Sequence, residues 1–473
     1  MQKTGDDYFD SEEFHELLND YEDSVSSEQP IFLDADELTD IADYYHFIGE
    51  YEKADDAIEQ ALALNPGATA PLVYKIREAL TREDVEEAKE LVEQIVDKND
   101  PDYFYMQAEL LIAQNKIEEA DLFLRDYFRS IPPDDYNNFV LDVANIWLDY
   151  GVNDKAYEWM MRSSGNDSAD FKELMGRIMF GLGNFKDSQR IFNELLDKDP
   201  YSTRYWNALA NAQFMSEDYG EAITSSEYAL AIDPADAESI LNKANGLYRL
   251  NNFEEALKYY QRYNEQMPGL DFVELQTGIC LLNMNRSDEA ISHLKKAKQM
   301  TFDDSPYQIQ IYQELAFAYS TKGELEKALQ CIDETRGIEC DHEDMEVLRG
   351  HILLENQHLK EAEKAFRQAI VKSENAPGIL LRIIVSLYDN KFVSASYTMF
   401  LKYFQMVGDD YNEGYSYMAL CCWDLKKNEE FLKYLRLATD RNPGEAHTVL
   451  HTLFPEDMEP KDYYDYMKEK LSL

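Results

Sequence analysis

The chain has 473 residues, 45% of them apolar, and carries 93 Asp and Glu against 45 Lys and Arg, a net charge of −48. That balance excludes a nucleic-acid binder, which needs a basic stripe, and disfavours an anionic membrane surface, while leaving basic proteins open as partners. No apolar run approaches the roughly 18 residues of a spanning helix; the best, Leu380–Leu387, is short and interrupted by Arg382 and Ser386.

Residues 1–34 form an acidic N-terminal segment. The start, MQKTGDDYFDSEEF, has neither a basic nor an apolar leader region, so no signal peptide is expected. Asp10 and Glu13 are spaced as a capping box for a helix from Ser11 to about Glu22, with Phe14, Leu17, Leu18 and Tyr21 on one face. The polar stretch from Asp23 to Pro30 lacks periodicity and reads as a tether. The motif Tyr8-Phe9-Asp10-Ser11-Glu12-Glu13-Phe14 pairs aromatics with acids and is a candidate plug for a basic patch elsewhere; a plain cap helix or solubilising tail is the alternative.

From Asp36 the helical pattern scarcely stops, and it is phase-locked. Ser188, Ala222, Ala256 and Ala290 follow at intervals of 34 residues, as do Pro200, Pro234 and Pro268. In the unit Tyr201–Pro234, Trp206, Leu209, Ala210 and Gln213 stack at helical spacing, Glu217 to Gly220 make a turn, and Ala222, Ile223, Ser226 and Ala229 line a second helix. Asp233-Pro234 ends it, because proline cannot continue the hydrogen-bond ladder. A unit of this size cannot bury its apolar face alone, so copies stack into a solenoid.

This unit resembles the tetratricopeptide repeat in Trp206, Leu209, Ala210, Ala222, Ala229 and Pro234, and departs from it at Ser226, the family's aromatic place. The resemblance implies an all-α, right-handed superhelical solenoid of antiparallel helix pairs, of a cytoplasmic, bacterial type. About twelve repeats fill residues 35–443, and two capping helices follow in 444–473, near Glu445–Leu453 and Pro460–Leu471. Ile76 and Phe431 stand where small residues are expected, and the interval Ala290 to Ala328 is 38, placing an insertion near Thr301–Pro306 that protrudes or shifts the superhelix.

In the resembled family the first helices line a concave groove that takes an extended peptide or a partner helix. The corresponding places here are Asn145; Arg177 and Phe180; Arg204, Asn207, Asn211 and Phe214; then Asn245, Tyr248 and Arg249. Asparagine both donates and accepts, so a row can clamp a peptide backbone; arginine adds a bidentate carboxylate contact, and the aromatics supply anchors. The alternative is that these are solvated positions offsetting acidic neighbours. The pattern departs from the family's carboxylate-clamp members, since Leu241 and Leu275 hold the next inner places. Further on the inner face becomes apolar at Phe317, Leu354, Ile384, Leu387, Tyr388, Leu420 and Trp423, either a helix-accepting surface or core.

Catalytic signatures are missing from the sequence. GxxxxGK[ST], HExxH and GxSxG do not occur, and Gly176 to Gly181 has half a phosphate-loop spacing but lies mid-helix. His447 and His451 could face one metal, but further ligands are not placed, and Cys280, Cys331, Cys340, Cys421 and Cys422 form no CxxC. The expectation is a cytoplasmic, non-catalytic scaffold that binds a protein or peptide, with no cofactor. The alternatives are an acidic chaperone-like holder of basic or aggregation-prone proteins and, remotely, an enzyme.

Overall fold

A computed structural model of the chain describes residues 8–9, 11–27, 33–163, 167–302, 305–338, 340–408, 411–455 and 458–471. Among these residues every regular element is helical, and the chain divides into two compact units, Met1–Asp218 and Tyr219–Leu473.

The first unit contains α1 (Glu12–Ser26), α2 (Ala35–Phe47), α3 (Tyr51–Leu64), α4 (Thr69–Thr81), α5 (Val85–Gln94), α6 (Pro101–Ala113), α7 (Ile117–Phe128), α8 (Tyr136–Asp149), α9 (Asn153–Met160), α10 (Ala169–Gly181), α11 (Phe185–Leu196) and α12 (Thr203–Met215). Short polar side chains open many of them by accepting otherwise unsatisfied backbone N–H groups. Asp34 and Glu37 form a capping box on α2, and Asp84, Asp100, Ser168 and Ser202 cap α5, α6, α10 and α12. Each helix pairs with the next, and α2, α4, α6, α8 and α10 also contact one another in succession, so the first helices of the pairs share one wall.

The small residues act where sequence periodicity placed them. Ala42, Ala108, Ala144 and Gly176 are fully buried or nearly so, and a β-carbon on Gly176 would sit 2.9 Å from the Phe192 ring of the paired helix. Ile76, the large exception, is also fully buried, and faces a shorter partner helix whose core residue at the place of Phe192 is Val92. Bulk on one helix is matched by its lack on the other.

The N-terminal segment differs from expectation in two ways. Ser11, one residue later than the expected cap, accepts the Phe14 N–H at 3.2 Å, and the helix runs on to Ser26, into the stretch read as a tether. Asp10 and residues 28–32 lie outside the described residues. The aromatic motif does not reach the Arg/Asn patch. Phe14 is fully buried, Phe9 packs on Tyr44 (5.5 Å) and Phe47 (6.0 Å), and the Tyr8 hydroxyl donates to Asp40 at 2.7 Å. Apolar rings found the nearest apolar helix face, α2, so the segment caps the first pair.

The second unit contains α13 (Tyr219–Ile232), α14 (Ala237–Arg249), α15 (Phe253–Gln266), α16 (Asp271–Asn283), α17 (Ser287–Met300), α18 (Gln308–Thr321), α19 (Leu325–Glu334), α20 (His342–Glu355), α21 (Leu359–Lys372), α22 (Pro377–Asp389), α23 (Val393–Val407), α24 (Tyr415–Asp424), α25 (Asn428–Arg441), α26 (Pro443–Leu450) and α27 (Pro460–Lys470). Its first helices α16, α18, α20, α22 and α24 again touch in succession. A β-carbon on Gly278 would meet Leu294 at 2.6 Å, and one on Gly350 would meet Phe366 at 2.2 Å. In the last pair Phe431 replaces the expected alanine and is fully buried against the Trp423 ring at 5.0 Å.

At the insertion, Thr301 and Ser305 donate hydroxyls to the Asp271 carboxylate at 3.2 and 2.6 Å, while Phe302 is largely exposed; residues 303–304 lie outside the described residues. The final helices do more than solvate an end. Ala446, Leu450, Tyr463 and Met467 are buried on α24 and α25, and Phe454 stacks on Tyr463 at 3.7 Å.

The turn inside each pair passes through a left-handed residue. In the first unit these are Gly49, Glu83, Asn115, Gly151, Gly183 and Glu217, and in the second Asn251, Asn285, Gly323, Gln357, Lys391 and Lys426. Glycine and asparagine suit that conformation, and the charged residues hold it at a cost.

Candidate functional site

In the first unit the shared wall carries a row of polar side chains, each one residue after the core position held by Ala42, Ile76, Ala108, Ala144 and Gly176: Asp43, Arg77, Glu109, Asn145 and Arg177. Two adjacent pairs of the row are tied together, Arg77 with Glu109 and Asn145 with Arg177. The Arg77 guanidinium donates to Glu109 at 3.2 Å, and the Tyr150 hydroxyl donates to the other Glu109 oxygen at 3.2 Å. Arg177 donates to Asn145 at 3.4 Å and pairs with Asp149 at 3.7 Å.

The sequence-derived patch falls partly in each unit. In the first, Arg177 and Arg204 are exposed, and Arg204 pairs with Glu173 and lies over the Tyr205 ring. The Glu173 carboxyl is pushed up by burial, against the pull of Arg204. Phe180 does not stand free as an anchor but braces the turn aromatic Phe185 edge-on at 5.5 Å. Asn211 and Phe214 are half-buried, and neither lacks a partner. Asn207 corrects the expectation for that residue: it is 2% exposed, so its amide is enclosed rather than offered to a ligand.

In the second unit, Asn245 accepts the Tyr260 hydroxyl at 2.7 Å, and Tyr248 braces Phe253 edge-on at 5.7 Å, repeating the Phe180–Phe185 geometry two repeats on. Arg249 lies over the Tyr219 ring and donates to its hydroxyl. Leu275 is fully buried and belongs to the core instead of an inner place. The apolar C-terminal face divides between both readings. Leu354 and Ile384 are core, whereas Leu387, Tyr388, Leu420 and Trp423 are half-buried and Phe317 is 37% exposed. Phe317 meets His351 edge-on at 5.8 Å, and His351 Nδ1 lies 3.0 Å from the Ser386 hydroxyl.

One feature escaped the sequence. Helices α2, α4 and α6 border a cavity of about 1090 Å³ whose rim includes Asp36, Asp40, Asp43 and Asp102, with Phe9, Phe47, Val73, Tyr74 and Val96 among its apolar walls. Burial and the neighbouring Asp40 raise the Asp43 carboxyl to about 6, against the opposing pull of Arg77 and His46. Burial also raises Asp36 and Asp102, each with another aspartate nearby.

Family models for the tetratricopeptide repeat match residues 38–67 and 174–237, coinciding with the α2–α3 pair and with α10 to α13. Both stretches are tetratricopeptide repeats. A third family model, "Anaphase-promoting complex, cyclosome, subunit 3", matches residues 215–297. Anaphase-promoting complex subunit 3 of Schizosaccharomyces pombe is 25% identical over 257 residues, covering 51% of this repeat protein and 36% of the relative, so the match spans about a third of that relative's length. Among solved structures, yeast Tom70 is similar across 93% of this chain and 96% of its own (15% identity, TM-score 0.45). MamA from Desulfovibrio magneticus RS-1 covers 37% of this chain and 96% of its own (17%, 0.35), and YrrB, described as a TPR protein with an unusual peptide-binding site, covers 42% and 97% (15%, 0.34).

The remaining chemistry-bearing residues of this repeat protein have packing roles. Asn153 Nδ2 donates to the Gly181 carbonyl at 2.9 Å, and Gly176 faces Phe192. His447 Nδ1 lies 3.2 Å from the Tyr463 hydroxyl, and the described residues hold no cluster of three or more metal-ligating side chains. Cys421 and Cys422 are both fully buried, because adjacent positions of a helix packed on two sides each meet a neighbour; burial pushes both thiols to about 12. No described helix is long and apolar enough to cross a membrane.

Proposed function

We propose that this repeat protein is a non-catalytic interaction scaffold that takes an extended protein segment along the wall formed by its first helices. The observation that carries the reading is the polar row Asp43, Arg77, Glu109, Asn145 and Arg177, held at constant register on helices that touch in succession. A row at the spacing of the repeats suits an extended chain, whose backbone groups recur along its length. Within the row the arginines already have acidic or amide partners, so a ligand carboxylate would compete with Glu109 for Arg77 and with Asp149 for Arg177. That supports recognition by exchange of partners over binding to bare charges. The five free thiols, four of them buried, support a cytoplasmic, reducing setting.

The test is affinity capture from native extract at moderate salt, with quantitative mass spectrometry, comparing wild type with an Arg177→Glu, Arg204→Glu, Asn211→Ala variant of unchanged helicity. A partner retained by wild type and lost by the variant supports the reading. Equal capture by both removes these residues from it.

A further inference from the structure

The cavity bordered by α2, α4 and α6 has two kinds of wall. Its apolar side is open: Phe47 is 65% exposed and Val96 is 77% exposed, and each is far larger than a solvated loop or helix end requires. This side is also fixed in place. The Val96 N–H donates to the Gly67 carbonyl at 3.1 Å, and the approach is so close that a β-carbon on Gly67 would lie 2.3 Å from Val96 Cγ2. An exposed apolar surface held rigid in a concavity is the ordinary form of a docking site. At about 1090 Å³ the space lies at or above the roughly 300–1,000 Å³ typical of small-molecule pockets, which fits a segment of chain.

The facing wall says what the segment carries. Asp36, Asp43 and Asp102 reach it from two different helices, and none has a hydrogen bond to its carboxylate or an ion pair among those described. The arginine at the rim, Arg77, donates to Glu109, and His46 Nδ1 lies 3.0 Å from the Tyr74 hydroxyl. The remaining rim acids have uses of their own. Asp40 accepts from Tyr8, Asp97 accepts the Asn99 N–H, Asp100 caps α6 and Glu78 pairs with Lys75. Carboxylates crowded into a half-buried wall repel one another, and a cation placed between them relieves that repulsion. We infer that the groove bordered by α2, α4 and α6 docks an extended partner segment in which an apolar side chain, seated on Phe47 and Val96, is flanked by lysine or arginine facing Asp36, Asp43 and Asp102. The inference rests on the scaffold reading but on none of the residues tested for it, so either can fail alone.

The experiment uses the full chain and three fluorescein-labelled peptides: one with a leucine flanked by arginines and lysines, the same peptide with glycine for leucine, and the leucine peptide with glutamates for its basic residues. Fluorescence anisotropy is read for wild type, Asp36→Asn with Asp43→Asn, Phe47→Ala, and Glu86→Gln with Glu90→Gln, a pair of exposed carboxylates on α5 away from the cavity. The expected result is that only the basic leucine peptide binds tightly. The double Asp→Asn change should weaken it about tenfold, as loss of charge-assisted contacts does. Phe47→Ala should weaken the leucine peptide several-fold and the glycine peptide hardly at all. Equal weakening by the α5 pair would reduce the effect to the diffuse field of the net charge and overturn the inference. So would equal binding of the leucine and glycine peptides, or no binding of any peptide by protein of native helicity. Sedimentation of the same proteins covers the other occupant: a dimer that Phe47→Ala dissolves would assign the groove to a second copy and overturn the cationic segment.

Discussion

In the first unit the place one residue after the small core position reads Asp43, Arg77, Glu109, Asn145, Arg177; in the second it reads Asn245, Ile279, Phe317, His351, Val385, Leu420. The backbone places these residues alike, yet one wall is a ladder of charges and amides and the other turns apolar after its first member apart from His351. One residue earlier the two units obey a single rule: Gly176 faces Phe192, Gly278 faces Leu294, Gly350 faces Phe366, and the large Ile76 accompanies the small Val92. The buried place is governed by volume and tolerates little. The neighbouring place is less constrained, buried at Glu109 and Ile279 but half-buried or exposed at the others, and its chemistry is where the two regions differ in what they can hold.

The volume rule breaks most sharply at Gly350. A β-carbon there would lie 2.2 Å from the Phe366 ring, so Gly350→Ala should cost roughly 3 kcal/mol in urea unfolding, and adding Phe366→Leu should restore most of it. A single variant as stable as wild type would show that the helices slide apart freely, and the rule would fall. The two walls can be set against each other through one buried carboxylate from each. Glu314 on α18 has no hydrogen bond or ion pair among the described residues, and burial raises it to about 7. Its folded-state pKa therefore lies above the unfolded one. The folded protein holds the extra proton, and stability is lost as pH rises from the usual carboxylate range to about 7. Glu314→Gln should remove that loss, gaining roughly 2 kcal/mol over wild type at pH 8 relative to the difference at pH 4.5; parallel stability curves for the two proteins would refute it. Glu109 in the first unit is more deeply buried but is held by Arg77 and Tyr150, so Glu109→Ala should destabilise by about 1.5 kcal/mol, and Glu109→Gln, which can still accept from Tyr150, by less. A neutral Glu109→Ala would erase the difference between the walls.

Helix pairing and the small core residues were legible because each recurs with the repeat, and a signal repeated in phase outweighs any single substitution. The interaction surfaces were not, for three separate reasons. Asn207 occupies a groove register but is enclosed, since register gives direction and not depth. Phe180 and Tyr248 look like free anchors until the next turn brings Phe185 and Phe253 against them. The α2–α4–α6 cavity depends on Asp36, Asp43 and Asp102, which are unremarkable among 93 acids until the helices stand side by side. The N-terminal aromatics read either as a plug or as a plain cap helix, and the second holds because an apolar partner as near as α2 outcompetes any distant one.

The turns carry the smallest test of what the repeat imposes on both units alike. Lys391 joins α22 to α23 with φ of 69°, a left-handed conformation that costs a residue with a β-carbon about 1–2 kcal/mol. Its N–H donates to the Tyr388 carbonyl at 2.8 Å, a bond that glycine would keep. Glycine relieves the strain but adds freedom to the unfolded chain, worth roughly 0.5–1 kcal/mol in the opposite sense. Lys391→Gly should therefore stabilise by about 0.5 kcal/mol, read as a small rise in the urea midpoint at unchanged slope, and Gly323→Lys at the same place in an earlier turn of this unit should lower it by a similar amount. If the two substitutions moved the midpoint in the same direction, the left-handed residue would not be what sets these turns, and the pairing of helices alone would have to position both walls.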